Sequence, residues 1–131
     1  MRRELPRNEL ARLVQIDYAR EMAFIAIETR SDGNGETVGV VRAVADPDNL
    51  EAEFAIIVRS DLKGQGLGHL LLNKMIRYLN GRGTQRVAGE VLRENRAMQD
   101  LFSSNGFHVD ATQSASESVR YVLDLKPAAA P

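Results

Sequence analysis

A chain of 131 residues is one domain, large enough to bury a sizeable core. Its 17 Lys and Arg against 18 Asp and Glu leave a formal charge of −1, so it offers no general attraction to nucleic acid or to an anionic membrane. With no cysteine there are no disulfides, no thiolate nucleophile and no zinc–thiolate cluster. No apolar run is long enough to span a bilayer and no signal-peptide pattern is present, which predicts a soluble, cytoplasmic protein.

Residues 1–12 are charged and carry Pro6, and Asn8 is placed to cap a short helix through Leu13. Residues 25–27 read as a strand, with Asp17 and Tyr18 at its loop entry. The turn formers of residues 31–35 predict a hairpin loop. A second strand over 37–45, a turn at 46–49 and a third strand over 51–59 complete an antiparallel meander. The apolar run 54–58 suits a strand buried on both faces. Glycine then recurs at every second position, Gly64, Gly66 and Gly68, where the backbone can turn tightly and approach a ligand. From Leu67 the spacing becomes helical: Leu67, Leu71, Met75 and Leu79 lie four apart, with Leu72 and Ile76 beside them. Residues 80–83 end that helix at a glycine.

Beyond it, residues 86–92 read as a strand with Glu90 at its middle. Asn95 opens a second helix, whose apolar contacts are Met98, Leu101 and Phe102 and which closes at Asn105-Gly106. Residues 107–111 and 119–125 are the last predicted strands, the latter with Val119, Tyr121, Leu123 and Leu125 on one face and Arg120 and Asp124 on the other. Residues 112–118 form a polar turn. Residues 1–126 are expected as a single domain and 127–131 as a disordered tail.

Strand, glycine loop and helix in that order aim free backbone N–H groups and the positive end of a helix dipole at one point, an anion site most natural for phosphate. The glycine spacing is wrong for the dinucleotide fingerprint, and no Lys-Ser or Lys-Thr pair follows as a P-loop requires. The loop instead resembles the acyl-CoA loop of the GNAT family of N-acetyltransferases: Arg or Gln, two residues, Gly, one residue, then Gly or Ala. Lys63, Gly66 and Gly68 hold those positions, with lysine for the usual Arg or Gln. Asn95, Met98, Leu101-Phe102 and Gly106-Phe107 resemble the family's second motif, an asparagine opening a helix that ends at Gly-Phe. Residues 15–24 with Ala52-Glu53-Phe54 are similar to a narrower group, the acetyltransferase domains of bacterial protein lysine acetyltransferases, often fused to an acyl-CoA-synthetase-like domain.

The resemblance implies an α/β (α+β) GNAT fold: a mixed, mainly antiparallel sheet with helices on both faces and splayed central strands. The usual first strand and helix have little room before Ile16, so the chain is either a truncated domain or one whose N-terminal elements are dispensable or supplied by a partner, a second copy or a fused domain. The implied co-substrate is acetyl-CoA, with no metal. Its pyrophosphate falls to the backbone of Lys63, Gly64, Gln65, Gly66, Leu67 and Gly68, its pantetheine arm to the backbone of Ile57 and Val58, and further contacts to Asn95 and Met98.

Attack on a thioester needs a neutral amine, and a lysine of pKa about 10.4 is mostly ammonium at neutral pH, so a general base is required. Glu53 holds the position that carries the base in the resembling enzymes; Glu90, on the neighbouring strand, is its rival. The family's usual proton-donating tyrosine is Phe102 here, which leaves the general acid unassigned between Tyr18, Tyr121 and none. Two classes follow: an enzyme acetylating a primary amine, a protein lysine or a small molecule, and a non-catalytic acyl-CoA sensor that regulates a partner.

Overall fold

The computed structural model describes residues 10–29, 32–59, 66–112 and 114–125. Its strands are β1 (Leu10–Asp17), β2 (Glu21–Thr29), β3 (Gly35–Ala45), β4 (Glu51–Val58), β5 (Arg86–Leu92), β6 (His108–Val109) and β7 (Ser118–Asp124); its helices are α1 (Leu67–Gly81) and α2 (Arg96–Ser104). One seven-stranded sheet has the order β1-β2-β3-β4-β5-β7-β6. Every neighbouring pair is antiparallel except β4 and β5. That parallel pair is bridged by α1, as a crossover between parallel strands demands.

The predicted helix through Leu13 is not formed at its described end. Residues 12–17 instead pair one to one with Met22–Ile27 of β2. The local signal, a cap residue and a few helix formers, is outweighed by a ladder that satisfies the strand's backbone groups through partners distant in sequence. Asn8 itself, like the tail at 127–131, lies outside the described residues.

Residues directly opposite in a ladder share a face. Phe24, Val41 and Ile56 form one such row, as do Met22, Ala43 and Phe54. These side chains are buried with Leu67, Leu71, Leu72, Met75 and Leu79, the predicted stripe of α1. The same face continues through Gly89 to Tyr121, where Phe102 of α2 meets the Tyr121 ring edge-on at 5.6 Å. Both described helices therefore cover one face. Among the described residues no helix covers the other, so the expectation of helices on both faces is met on one face only. That second face carries Ile57, Leu92 and Val44, all exposed, beside Glu53, Glu90 and Arg120.

The helix ends are built alike. The Gly83 N–H donates to Asn80 and the Thr84 N–H to Leu79, closing α1; the Gly106 N–H donates to Ser103 and the Phe107 N–H to Phe102, closing α2. Both are the paired bonds of a Schellman cap. In the second, the Phe107 and Phe102 rings meet at a tilt with centres 5.6 Å apart, and the chain leads on into β6. That strand is only two residues long, shorter than the predicted 107–111. Among the described residues no helix is long and apolar enough to cross a membrane.

Candidate active site

The central strands part. β4 and β5 are paired only over Glu51–Phe54 and Arg86–Gly89, after which Ala55–Val58 and Glu90–Leu92 run on without a common ladder. A Cβ on Gly89 would sit 2.5 Å from the Phe54 ring, so the ring occupies the space above the glycine backbone. Phe54 is in turn held by Phe102 and Phe107, at 5.2 and 5.4 Å between ring centres. This aromatic cluster sits at the point where the strands separate.

The phase of the strand decides which backbone groups face the opening. The Arg59 N–H donates to Val38 of β3, and the Leu50 carbonyl accepts from Arg86 at the foot of β5. Since bonding directions alternate along a strand, odd-numbered residues of β4 turn to β3 and even-numbered ones to β5. Ile56 and Val58 therefore present their backbone groups to the gap. Ile57 was expected there with Val58, but its backbone faces β3, and its 72 % exposed side chain stands on the open face.

At the far end of β4, α1 begins at Gly66, whose φ of +83° lies in the left-handed region that only glycine adopts without strain. Gly66 has no side-chain cap and the first turn holds no acidic residue; the first bond closing the turn runs from the Leu70 N–H to the Gly66 carbonyl. The preceding N–H groups of Leu67, Gly68 and His69 thus lie ahead of the helical ladder, at the positive end of a 15-residue helix. Gly68 packs against Leu101 of α2, and His69 Nδ1 lies 2.9 Å from Asn105 Nδ2. Lys63, Gly64 and Gln65 lie outside the described residues.

Asn95 caps α2, its Oδ1 accepting from the Met98 N–H at 3.1 Å; Met98 is half-buried against the core. Phe102 is 2 % exposed, a core ring rather than a cleft residue. Tyr121 lies on that same covered face, its hydroxyl donating to Gln99 Oε1 at 2.9 Å. Tyr18 lines a different cavity, of 160 Å³, at the C-terminal end of α1 together with Tyr78 and Arg82.

Glu53 and Glu90 flank the point of divergence on the open face. Glu53 is one residue before the last paired position and Glu90 one residue after it. Glu53 receives Arg120 Nη1 at 3.3 Å, while Arg120 Nη2 reaches Glu51 at 3.1 Å. Among the described residues Glu90 makes no hydrogen bond or ion pair, although Arg120 is directly opposite it on β7.

The segment 15–24 has a structural task. Asp17 accepts from the Tyr78 hydroxyl, and Arg82 Nη1 donates to that hydroxyl at 2.8 Å while its Nη2 donates to the Ala19 carbonyl at 3.0 Å. The β1–β2 turn is thereby fastened to the end of α1. Desolvation, followed by the hydrogen bond to Asp17, raises the Tyr78 pKa above its ordinary value. With the folded value raised, the contribution is complete below the unfolded pKa of about 10 and is lost as pH climbs through the folded one. Tyr78→Phe is accordingly expected to remove one alkaline step from the dependence of melting temperature on pH, which thermal scans between about pH 9 and 12 would show.

The sequence profile described as "Acetyltransferase (GNAT) family" matches residues 2–107. An acetyltransferase of Pseudomonas aeruginosa is 33 % identical over 98 residues, 75 % of this chain and 52 % of that protein. The acetyltransferase Pat of Mycolicibacterium smegmatis is 30 % identical over 105 residues, 79 % of this chain and 31 % of that protein. The chain thus spans about half the length of one curated relative and a third of the other. Among solved structures, the GNAT domain of S. lividans PAT superposes with a TM-score of 0.70 at 25 % identity, over 92 % of this chain and 70 % of that one. A Campylobacter jejuni N-acetyltransferase, solved with acetyl coenzyme A, shares the fold at a TM-score of 0.64 and 18 % identity, over 83 % of this chain and 71 % of that one. With the profile spanning most of its length, the chain belongs to the GNAT acetyltransferase family.

Proposed function

We propose that the chain is an acetyl-CoA-dependent N-acetyltransferase that acts on a primary amine, that of a protein lysine, with Glu53 as general base. The observation that carries this reading is the opening between β4 and β5. It offers unpaired strand edges at Ile56 and Val58 to an amide-bearing arm, with the first turn of α1 at one end and a carboxylate at the other. The pantetheine arm pairs with those edges as a third strand would. The pyrophosphate meets the N–H groups of Leu67 and Gly68; the likeness of the glycine motif to the family's acyl-CoA loop adds Lys63, Gly64 and Gln65 to its contacts, and Asn95 and Met98 contribute from α2. The lysine acceptor rests on the likeness of residues 15–24 and 52–54 to protein lysine acetyltransferases, and on the match to Pat.

In the reaction the amine proton passes to Glu53, directly or through a water. The nitrogen lone pair of the neutral amine attacks the thioester carbonyl, the C–N bond forms, the nitrogen gives up its second proton to solvent, and the C–S bond breaks. CoA leaves as the thiolate and takes its proton from solvent. Phe102 has none to give, and the Tyr121 hydroxyl is engaged beneath α2.

Incubation with isotopically labelled acetyl-CoA and lysine-containing peptides, followed by mass spectrometry, tests this. Label on a lysine Nζ is the expected result. Tight acetyl-CoA binding without transfer to any amine would replace the reading with that of an acyl-CoA sensor, the alternative that the buried Phe102 favours.

A further inference from the structure

Resting on that reading, we propose that Arg120 is the positioning residue of the reaction, holding the Glu53 carboxylate at the mouth of the strand opening. Glu53 is largely in solvent, its side chain 70 % exposed, and a free carboxylate there would sample several rotamers. Arg120 is its opposite: the side chain is only 13 % exposed, and its backbone N–H is tied to Ser114 Oγ at 2.9 Å. The guanidinium is rigid and forked. One arm is anchored on Glu51 at 3.1 Å and the other meets Glu53 Oε1 at 3.3 Å.

The register shows that this contact is selected rather than incidental. Arg120 lies directly opposite Glu90 on β5, yet it reaches past that strand to β4. Glu53 is level with Ala88 in the β4–β5 ladder, so the reach crosses the small, fully buried Ala88. Two carboxylates spaced by two residues on β4 match the two arms of the fork, whereas Glu90 offers one. With Oε1 engaged by Arg120, Oε2 is left to accept the amine proton. A 1 Å displacement of a reacting group is enough to cost up to about 100-fold in rate.

The test is a double-mutant cycle on the intact chain, reading kcat and the KM for acetyl-CoA. Arg120→Gln is expected to lower kcat roughly 10- to 100-fold with KM for acetyl-CoA little changed. In the Glu53→Gln background the same change is expected to alter kcat by less than about twofold, because there is no base left to position. Arg120→Lys, a point charge without the fork, recovers part of the loss in the wild-type background; it also decides the matter if Arg120→Gln does not fold. An equal loss in both backgrounds makes Arg120 merely structural and overturns the proposal, as does an unchanged kcat in Arg120→Gln while Glu53→Gln is crippled. Full turnover in Glu53→Gln removes the base itself, and the positioning role with it.

Discussion

Glu53→Gln is expected to leave acetyl-CoA binding nearly unchanged while turnover falls by roughly 10²–10⁴-fold at neutral pH. The substitution preserves the shape of the side chain and an oxygen that Arg120 can still reach, but it removes the capacity to take a proton. The substrate supplies the check on mechanism. A lysine amine titrates near 10.4, so raising the pH generates the nucleophile without help and is expected to return much of the lost rate. A variant that had merely lost packing or cofactor affinity would show no such recovery. Glu90→Gln is expected to do less on both counts. Both carboxylates stand beside the divergence point on the open face, but only Glu53 is held by a partner among the described residues. The reverse ranking in steady-state kinetics would move the base to Glu90.

How far the sequence reached depends on whether a feature is written locally. The stripe Leu67, Leu71, Leu72, Met75 and Leu79 is periodic within one helix, and all five residues are buried as the spacing requires. Strand β5 was legible residue for residue because a glycine ends the helix before it, at Gly83, and Asn95 opens the helix after it. The parting of β4 and β5 is implied by the two motifs, yet the last pair before it sets Phe54 over Gly89, residues 35 positions apart in the chain. Residues 10–13 were misread as the end of a helix because their partner, not their composition, decides their conformation. Ile57 was placed one residue out of phase for a similar reason: which way a strand's N–H groups point is fixed by its neighbour, here through the Arg59–Val38 bond. Arg120 read as a solvent-facing strand residue, since nothing in its own surroundings in the sequence announces Glu51 and Glu53.

Gly66→Asp is expected to weaken acetyl-CoA binding by roughly 10²-fold or more, from two sources that a pair of variants separates. The first is backbone strain: φ at Gly66 is +83°, and a side chain in that region costs about 1–2 kcal/mol outside glycine, somewhat less for Asn and Asp. Among the described residues a Cβ there meets no atom within 4 Å. The second source is charge. An aspartate at the mouth of α1 cancels part of the helix's positive end and faces the pyrophosphate. At about 5 Å and an effective dielectric near 20, two like charges repel by about 3 kcal/mol. Gly66→Asn adds nearly the same volume and the same strain without the charge, so its loss measures the backbone alone. Isothermal titration calorimetry on the two folded variants is therefore expected to rank them wild type, then Asn, then Asp, with the gap between Asn and Asp shrinking as salt is raised. Equal affinities for Asn and Asp would mean that the phosphates do not lie against the first turn of α1, and the anion site would have to be sought elsewhere along the opening.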